Sequence, residues 1–592
     1  GSAIYDLESS SPEVAGAAAA AAAVDTNLAP GRIEGRLVSA DDGRPVANAR
    51  IFISGVSADV RSDDQGRFSA EAPAGPRSIS VLHSGFNTLT QDNVAVPEDG
   101  TATLELQLTP AGSELPEFVV LVPHISGSLA SVLEERREEV AVANILGSEQ
   151  ISKAGDSDAA GALKRVTGLT LVGGRFIFVR GLGERYSSTL LNGANVPSPN
   201  PTRRVVPLDL FPAGIIDSIA VQKSFTPEMP AEFGGGTVQL RTKSIPEAAF
   251  LEVEAKIGYN DQTTGKEGLD YRGGGRDWTG YDDGTRAPSD LLAAATADGT
   301  PLTEFNPFTG EGYTKEELEA IGESMPVIYD VTPEKIDPNL GFGMAGGTRF
   351  DISDRFSLGV LAALDYDDKW LTTVQQRIQY VVGGNDELVP TKSFNYHTTL
   401  RNIDLSGFLT LGAEIGDHHK LTWNWMLLRN TTDRTQRSQG IDKDAEGGDV
   451  QFTELWWFER QLMANQLLGE HVIPGLGDML ISWDYTSAKA ESEEPDLRSY
   501  RYDPDTLTDS EDDLIFSLRN DNNQRRWGGL EDDSQSWDLN LVQPFPFWDR
   551  KDLTLRAGLA SVEKERDFSI RRFNFRSRGP ISRDIELRRN LN

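Results

Sequence analysis

The chain has 592 residues, too many for one ordinary domain, and sets 57 Lys and Arg against 91 Asp and Glu, a net charge of −34. That balance argues against a nucleic-acid-binding surface, which needs a basic face for phosphates, and the lack of cysteine excludes thiol catalysis, disulfides and cysteine-based zinc sites. No run of about 18 apolar residues is present to form a transmembrane helix, and the histidines (His83, His124, His397, His418, His419 and His471) show no metal-binding spacing, so neither a metal nor another cofactor is expected.

In chain order, residues 1–30 read as a flexible N-terminus. The alanine run Ala17–Ala23 imitates a signal-peptide core, but Asp6, Glu8 and Glu13 stand where Lys or Arg would be needed. Residues 31–110 alternate short strands (GRIEGRLV, ARIFISG, RFSAEA, RSISVLHSGF, TATLELQL) with turn signals such as Asp42-Gly43 and Asp64-Gln65-Gly66, the pattern of a small antiparallel sandwich. A linker over 111–128 follows, holding the β-prone run EFVVLVP (Glu117, Phe118, Val119, Val120, Leu121, Val122, Pro123). Two weakly helical pieces come next: SLASVLEERREEVA, then SDAAGALKRVTGL with Ser157 or Asp156 as its cap. From Gly168 to Pro246 strands and turns alternate in a compact, glycine-rich, mixed α/β unit.

After Phe250 the period becomes two. Phe356, Leu358, Val360, Ala362, Leu364 and Tyr366 fall on one face; Leu421, Trp423, Trp425 and Leu427, then Ile481, Trp483 and Tyr485, repeat the pattern. The segments outrun soluble strands, and tight turns (ISDR, GDHH, IPGLG) alternate with long polar loops over 261–339 and 433–450. Trp and Tyr recur on the apolar face, so the expectation is an antiparallel transmembrane β-barrel. The first loop has its own helix, signalled by a Thr314/Glu317 capping box. Its aromatics Tyr271, Trp278, Tyr281 and Tyr313 are positioned either to stack on sugars or aromatic ligands or simply to pack the loop.

The stretch RGLGERYSSTLLNG follows an apolar strand with Gly181 and Gly183, which invites a phosphate-loop reading. Position 186 is Tyr where a dinucleotide fingerprint needs glycine, and no Gly-Lys-Ser/Thr follows. SSTLLNG reads instead as a strand entering an Asn192-Gly193 hairpin turn. Gly234, Gly235 and Gly236 imply a close backbone approach or a positive φ. No triad, metal cluster or phosphate loop supports an enzyme.

The string GRLVSADDGRPVANARIFISG…SDDQGRFSAEAPAG…HSGF resembles the carboxypeptidase-regulatory-like, Ig-like domain. The segment 140–246, on the residues running from VTGLTLVGGRFIFVRGLGERYSSTLLNG to EFGGGTVQLRTKSIP within it, resembles the plug of TonB-dependent outer-membrane transporters. The resemblance implies a plug over 129–247 and, over 248–592, the N-terminal part of a 22-stranded barrel. Such a protein would sit in the outer membrane of a Gram-negative bacterium, its first domain in the periplasm. Its partners would be TonB with the inner-membrane motor proteins, outer-membrane lipid and an unknown extracellular ligand. Residues 117–123 would be the TonB box, the alternative being an ordinary strand. Arg180, Glu184 and Arg185 would latch the plug to acids of the barrel wall, or pair within the plug; Asp209 and Lys223 would be structural plug signatures. The nine or so strands counted in 251–592 fall short of such a barrel, so a fragment, or one part of a split barrel, is expected. Two functions stand: energised import of a bulky or scarce ligand, and an interaction or secretion protein engaging a surface lipoprotein or other protein partner.

Overall fold

The computed structural model describes residues 30–56, 58–109, 143–227, 229, 234–384, 386–443, 449–504, 514–517, 523–547 and 551–574. The run Glu117–Pro123 and the helix expected over 128–141 lie outside the described residues. Two compact units divide at Val120 and Leu121.

The first unit has seven strands: β1 (Gly31–Ser39), β2 (Arg50–Ile53), β3 (Val60–Arg61), β4 (Arg67–Ala72), β5 (Gly75–His83), β6 (Phe86–Val96) and β7 (Thr101–Leu108). They form two sheets, β4-β1-β7 and β3-β2-β5-β6, with β1 and β7 parallel and the other pairs antiparallel. In β1, Ile33 and Leu37 are buried while Arg32, Glu34 and Arg36 are exposed, so alternation aims one face of each sheet at a shared core with Ile51, Ile79, Val81 and Leu108. RSISVLHSGF is not one strand. The chain turns at Ser84-Gly85, where the Gly85 amide donates to His83 Nδ1 at 3.1 Å, and His83 pairs with Phe86 across the hairpin.

The second unit opens with a central domain: β8 (Ala143–Gly147), α1 (Ser148–Lys153), α2 (Ala159–Leu163), β9 (Leu169–Val172), β10 (Phe176–Val179), β11 (Ser187–Leu191), β12 (Ala194–Asn195), β13 (Ile216–Gln222) and β14 (Gly236–Thr242). Its sheet runs β12-β11-β14-β13-β8, beside a β9–β10 hairpin. The α2 cap is Asp158, not Ser157 or Asp156: its Oδ1 accepts from the Gly161 amide at 2.7 Å, the reach of an N-cap carboxylate to the third helical residue.

From Phe250 the chain builds a wall. β15 (Phe250–Gly258) is followed by an insertion with β16 (Glu267–Tyr271), α3 (Asp290–Ala295), α4 (Lys315–Glu323) and β17 (Val331–Lys335). Then come β18 (Asn339–Ser353), β19 (Phe356–Val382), β20 (Leu388–Ile415), β21 (His419–Asp442), β22 (Asp449–Ile473), β23 (Met479–Pro504), β24 (Leu514–Phe516), β25 (Gln524–Phe547) and β26 (Lys551–Asn574). The order β15-β18-β19-β20-β21-β22-β23-β25-β26 is an antiparallel meander, with β24 beside β23. The turns ISDR, GDHH and IPGLG all lie at one end. Most of the stretch 433–450, expected as a loop, is strand: β21 continues to Asp442 and β22 begins at Asp449. Its polar side chains, such as Arg434 on Glu454, find partners across the ladder.

The central domain covers one face of this wall, called here the near face, through Leu361, Phe408, Met426, Leu428, Leu462, Ala464, Ala488 and Ala490. The opposite, far face carries the alternating apolar band, with Leu358, Leu364, Leu411, Leu467, Tyr485 and Trp537 exposed. Strand β23 holds an extra residue near Asp496 (φ +55°), because Glu494 pairs with Gly528 but Leu497 with Arg526. This β-bulge shifts the facing of every residue beyond it by one.

Candidate functional site

The contact between central domain and wall is built around Asp209. Leu208–Leu210 is a single 3-10 turn whose two leucines are buried in the domain core, which sends the intervening carboxylate to the wall. Asp209 Oδ2 lies 3.0 Å from Nη2 of Arg460 and 3.6 Å from Nε of Arg175. Arg460 is 1% exposed and also donates to Asn430 Oδ1; Asn430 Nδ2 donates to Asp404 at 2.5 Å. One polar chain therefore runs from the domain through β22 and β21 to β20. Two lesser contacts flank it. Gln466 accepts from Asn192 at 2.8 Å and donates to the Leu191 carbonyl at 3.0 Å, and Asp532 accepts from the Ser198 amide at 3.2 Å.

Toward the long-loop end the near face becomes aromatic and cationic. Trp456 and Phe458 stack with centroids 5.3 Å apart, and the Arg434 guanidinium lies 4.4 Å over the Trp456 ring. Trp456 Nε1 donates to Glu494 at 2.7 Å, and Arg526 Nη2 meets the same carboxylate at 2.7 Å. Farther on, Arg501 lies 5.0 Å over Phe452 and Arg377 lies 4.6 Å over Tyr396. Such π faces and guanidinium groups suit a ligand with planar or charged groups. The sequence reading missed these residues. Their signal is parity: on β22 they share the even positions of Arg460, Leu462 and Ala464, which face the domain.

The insertion docks on the far face, opposite the central domain. Arg286 donates to Asp277 at 2.6 and 2.9 Å, to Asp282 at 2.9 Å and to the Tyr271 hydroxyl at 2.9 Å, and its guanidinium lies 4.1 Å over Trp457. Burial opposes the Arg286 charge, but the Asp277 hydrogen bonds and the neighbouring negative groups outweigh it and hold its pKa above the ordinary value. Burial also raises the Tyr271 phenol well above its usual pKa. The Gly280 carbonyl accepts from Arg429 Nε at 2.7 Å and Thr431 Oγ1 at 2.6 Å, the Asp282 amide donates to Glu459 at 2.7 Å, and Arg429 pairs with Glu459. At the bulge, Asp496 holds Arg498 (Nε, 2.9 Å) and Arg525 (Nε, 2.6 Å), which in turn donate to the insertion carbonyls of Ile328 and Pro326.

The residues singled out from the sequence are dispersed by the fold. Arg180 (φ +52°) and Gly181 (φ +81°) make the turn after β10, and among the described residues neither Arg180 nor Arg185 makes an ion pair. Glu184 pairs with Arg203 of the same domain at 2.9 Å. Asn192 (φ +50°) and Gly193 (φ +92°) form the turn joining β11 to β12. Lys223 donates to Asn144 at 2.6 Å and to the Thr167 carbonyl at 2.5 Å, inside the domain. A Cβ on Gly234 would meet Tyr186 at 3.1 Å, on Gly235 Leu182 at 3.1 Å and on Gly236 Val179 at 2.9 Å, so close approach, not positive φ, calls for these glycines; Gly183 packs near Phe178. Tyr271, Trp278, Tyr281 and Tyr313 all belong to the far-face insertion. Tyr313 bonds the Ala295 carbonyl at 2.7 Å, Tyr281 lies under Arg429 at 3.4 Å, and Trp278 is 61% exposed. His419 meets His471 of β22 at 3.2 Å. Among the described residues no three His, Asp or Glu side chains are grouped to hold a metal.

Residues 135–237 match the TonB-dependent receptor plug domain. The central domain is a plug. Residues 32–109 match the carboxypeptidase regulatory-like domain. No curated protein matches the chain. Similar solved structures include the ferric citrate transporter FecA in its unliganded form (12% identity, TM-score 0.30), covering 75% of this chain and 60% of that one. Pseudomonas aeruginosa FpvA bound to a pyoverdine–iron complex is 12% identical (TM-score 0.36; 75% and 54% covered). The ferric-catecholate import receptor Fiu of Escherichia coli K12 is 9% identical (TM-score 0.32; 73% and 66% covered). The chain thus spans less than two thirds of each of these proteins.

Proposed function

We propose that the chain acts in energised import across an outer membrane: a ligand binds at the long-loop end and passes when the plug moves. The observation that carries this reading is a plug seated on the near face of an alternating wall whose far face is apolar. A sheet of that kind suits lipid on one side and a filled, polar lumen on the other. The ligand surface is the near-face group Arg434, Trp456, Phe458, Glu494 and Arg526, just beyond the plug. Its charged and π groups bind and orient the ligand without chemistry on it. Asp209 and Arg460 hold the resting plug. Glu117–Pro123 acts as the TonB box, where an extended segment adds to a partner's sheet edge and transmits pull through main-chain hydrogen bonds. Deleting residues 117–123 abolishes energised uptake and leaves outer-membrane insertion intact; uptake that persists refutes TonB coupling. Mass spectrometry of ligand retained by the purified protein, compared with a Trp456→Ala variant, tests the ligand surface.

A further inference from the structure

The insertion stands where the far face changes from apolar to polar. On β21 that face reads Leu421, Trp423, Trp425, Leu427 and then Arg429; on β19 it runs from Phe356 to Tyr366 and then Asp368. Phe356–Tyr366 rises ~33 Å along the strand at ~3.3 Å per residue, which a tilt of ~45° reduces to ~23 Å, close to the height of an apolar band of ~25 Å. Tyr366 therefore marks the upper border of the band. Its hydroxyl donates to the Trp278 carbonyl at 2.6 Å. Two residues on, the Gly280 carbonyl is fixed by Arg429 and Thr431, immediately beyond Leu427.

The turn between these anchors aims its side chains in a defined way. Asp277 is turned inward onto Arg286, Tyr281 lies flat under Arg429, and Trp278 between them is left 61% exposed. A large amphipathic ring, exposed on a backbone anchored at the rim of a lipid-facing band, is placed as interfacial tryptophans are. We propose that Trp278 rests on the interfacial region of the outer leaflet, so that the insertion is a collar seated on lipid and not a loop reaching for the transported ligand. The proposal rests on the membrane reading above. Its occupant is lipid because Trp278 continues the exposed far-face apolar band of Leu358, Leu364 and Leu411.

The chain has no cysteine, so single labels are unambiguous. Three variants, Leu411→Cys, Trp278→Cys and Phe308→Cys, are labelled with a nitroxide in vesicles of phosphatidylcholine and phosphatidylglycerol. Collision with oxygen, which favours lipid, is compared with collision with a water-soluble nickel chelate. Phe308, 97% exposed in the insertion, is the aqueous reference, and Leu411 the lipid reference. The expected oxygen-to-nickel ratio at Trp278→Cys is at least about threefold above that at Phe308→Cys, by the depth gradient of an interface. A ratio equal to that at Phe308→Cys overturns the proposal, as does exclusion of both probes, which would mean protein cover. A Leu411→Cys label that behaves as aqueous overturns the membrane reading itself and the proposal with it. Fluorotryptophan NMR keeps the ring in place: the Trp278 signal, assigned by its loss in Trp278→Phe, is broadened by a doxyl lipid if the proposal holds and only by an aqueous gadolinium chelate if it does not.

Discussion

The two faces of one wall are joined to their neighbours in different ways. On the near face the plug meets mostly alanine and leucine side chains, with the polar chain of Asp209 and Arg460 and a few hydrogen bonds. On the far face the insertion is held by interlocked guanidinium and carboxylate groups, most of them buried: Arg286 with Asp277 and Asp282, Arg429 with Glu459, and Arg498 and Arg525 with Asp496. Small apolar contacts are short-ranged and non-directional, so a body resting on them can be shifted. A buried charge network loses several partners at once if displaced. The wall thus offers a parting surface on one side and a fixed one on the other.

The largest test of that contrast is Arg286→Met. Removing one member of a buried charge cluster costs about 3–5 kcal/mol, so proteolysis should open the insertion over 259–338 while the plug keeps its hydrogen-exchange protection. Asp209→Asn, which leaves Arg460 with a weakened partner, should cost about 1–3 kcal/mol and raise exchange in the plug alone; equal loosening of both regions would remove the distinction. Gly280→Ala comes next. A Cβ there meets Thr431 at 3.2 Å and Ile403 at 3.3 Å with φ at +75°, and about 1–2 kcal/mol should be lost from insertion docking, read by the same proteolysis.

A pH test follows from Tyr271, whose phenol is held neutral by burial. A folded pKa above the unfolded one gives a contribution fully present below the ordinary value near 10 and lost as pH rises past it. Hydrogen exchange of the insertion should therefore accelerate above about pH 10 more than that of the plug, and Tyr271→Phe should blunt the difference. The smallest effect is in the first unit. Asp63, exposed, has its pKa lowered by the Arg67 amide and then by the Gln65 amide and the Arg67 side chain. A lowered folded pKa stabilises above the unfolded value and fades as pH falls through the folded one, so Asp63→Asn should lower Tm slightly at neutral pH and progressively less as pH falls below about 4.

What was legible in the sequence was what repeats. Period two announced the strands from Phe356 onward, the tight turns and the exposed far face, because a half-buried strand repeats its demand on side chains every second residue. The Thr314/Glu317 box was also legible, and both of its hydrogen bonds are present. The side of the wall on which the insertion lies was not legible, since docking of a loop depends on contacts such as Gly280 to Arg429 that have no period. The near-face group of Arg434, Trp456 and Glu494 was hidden for a related reason: both faces look alike there, polar around Arg434 and Glu494 and apolar in Leu455–Phe458, until one is seen to meet the plug.

The extra residue near Asp496 acts as a parity switch. Glu494 and Asp496 are two apart and on an uninterrupted strand would share a face; instead one reaches Arg526 on the near face and the other Arg525 on the far face. Adjacent arginines of β25 are thereby neutralised by acids from a single strand, one for each face. Removing one residue at this point would exchange the facing of everything beyond it, turning Arg498 toward the near face and Leu497 toward the far face, so the length of β23 is itself part of the address that keeps the chemistry of the two faces apart.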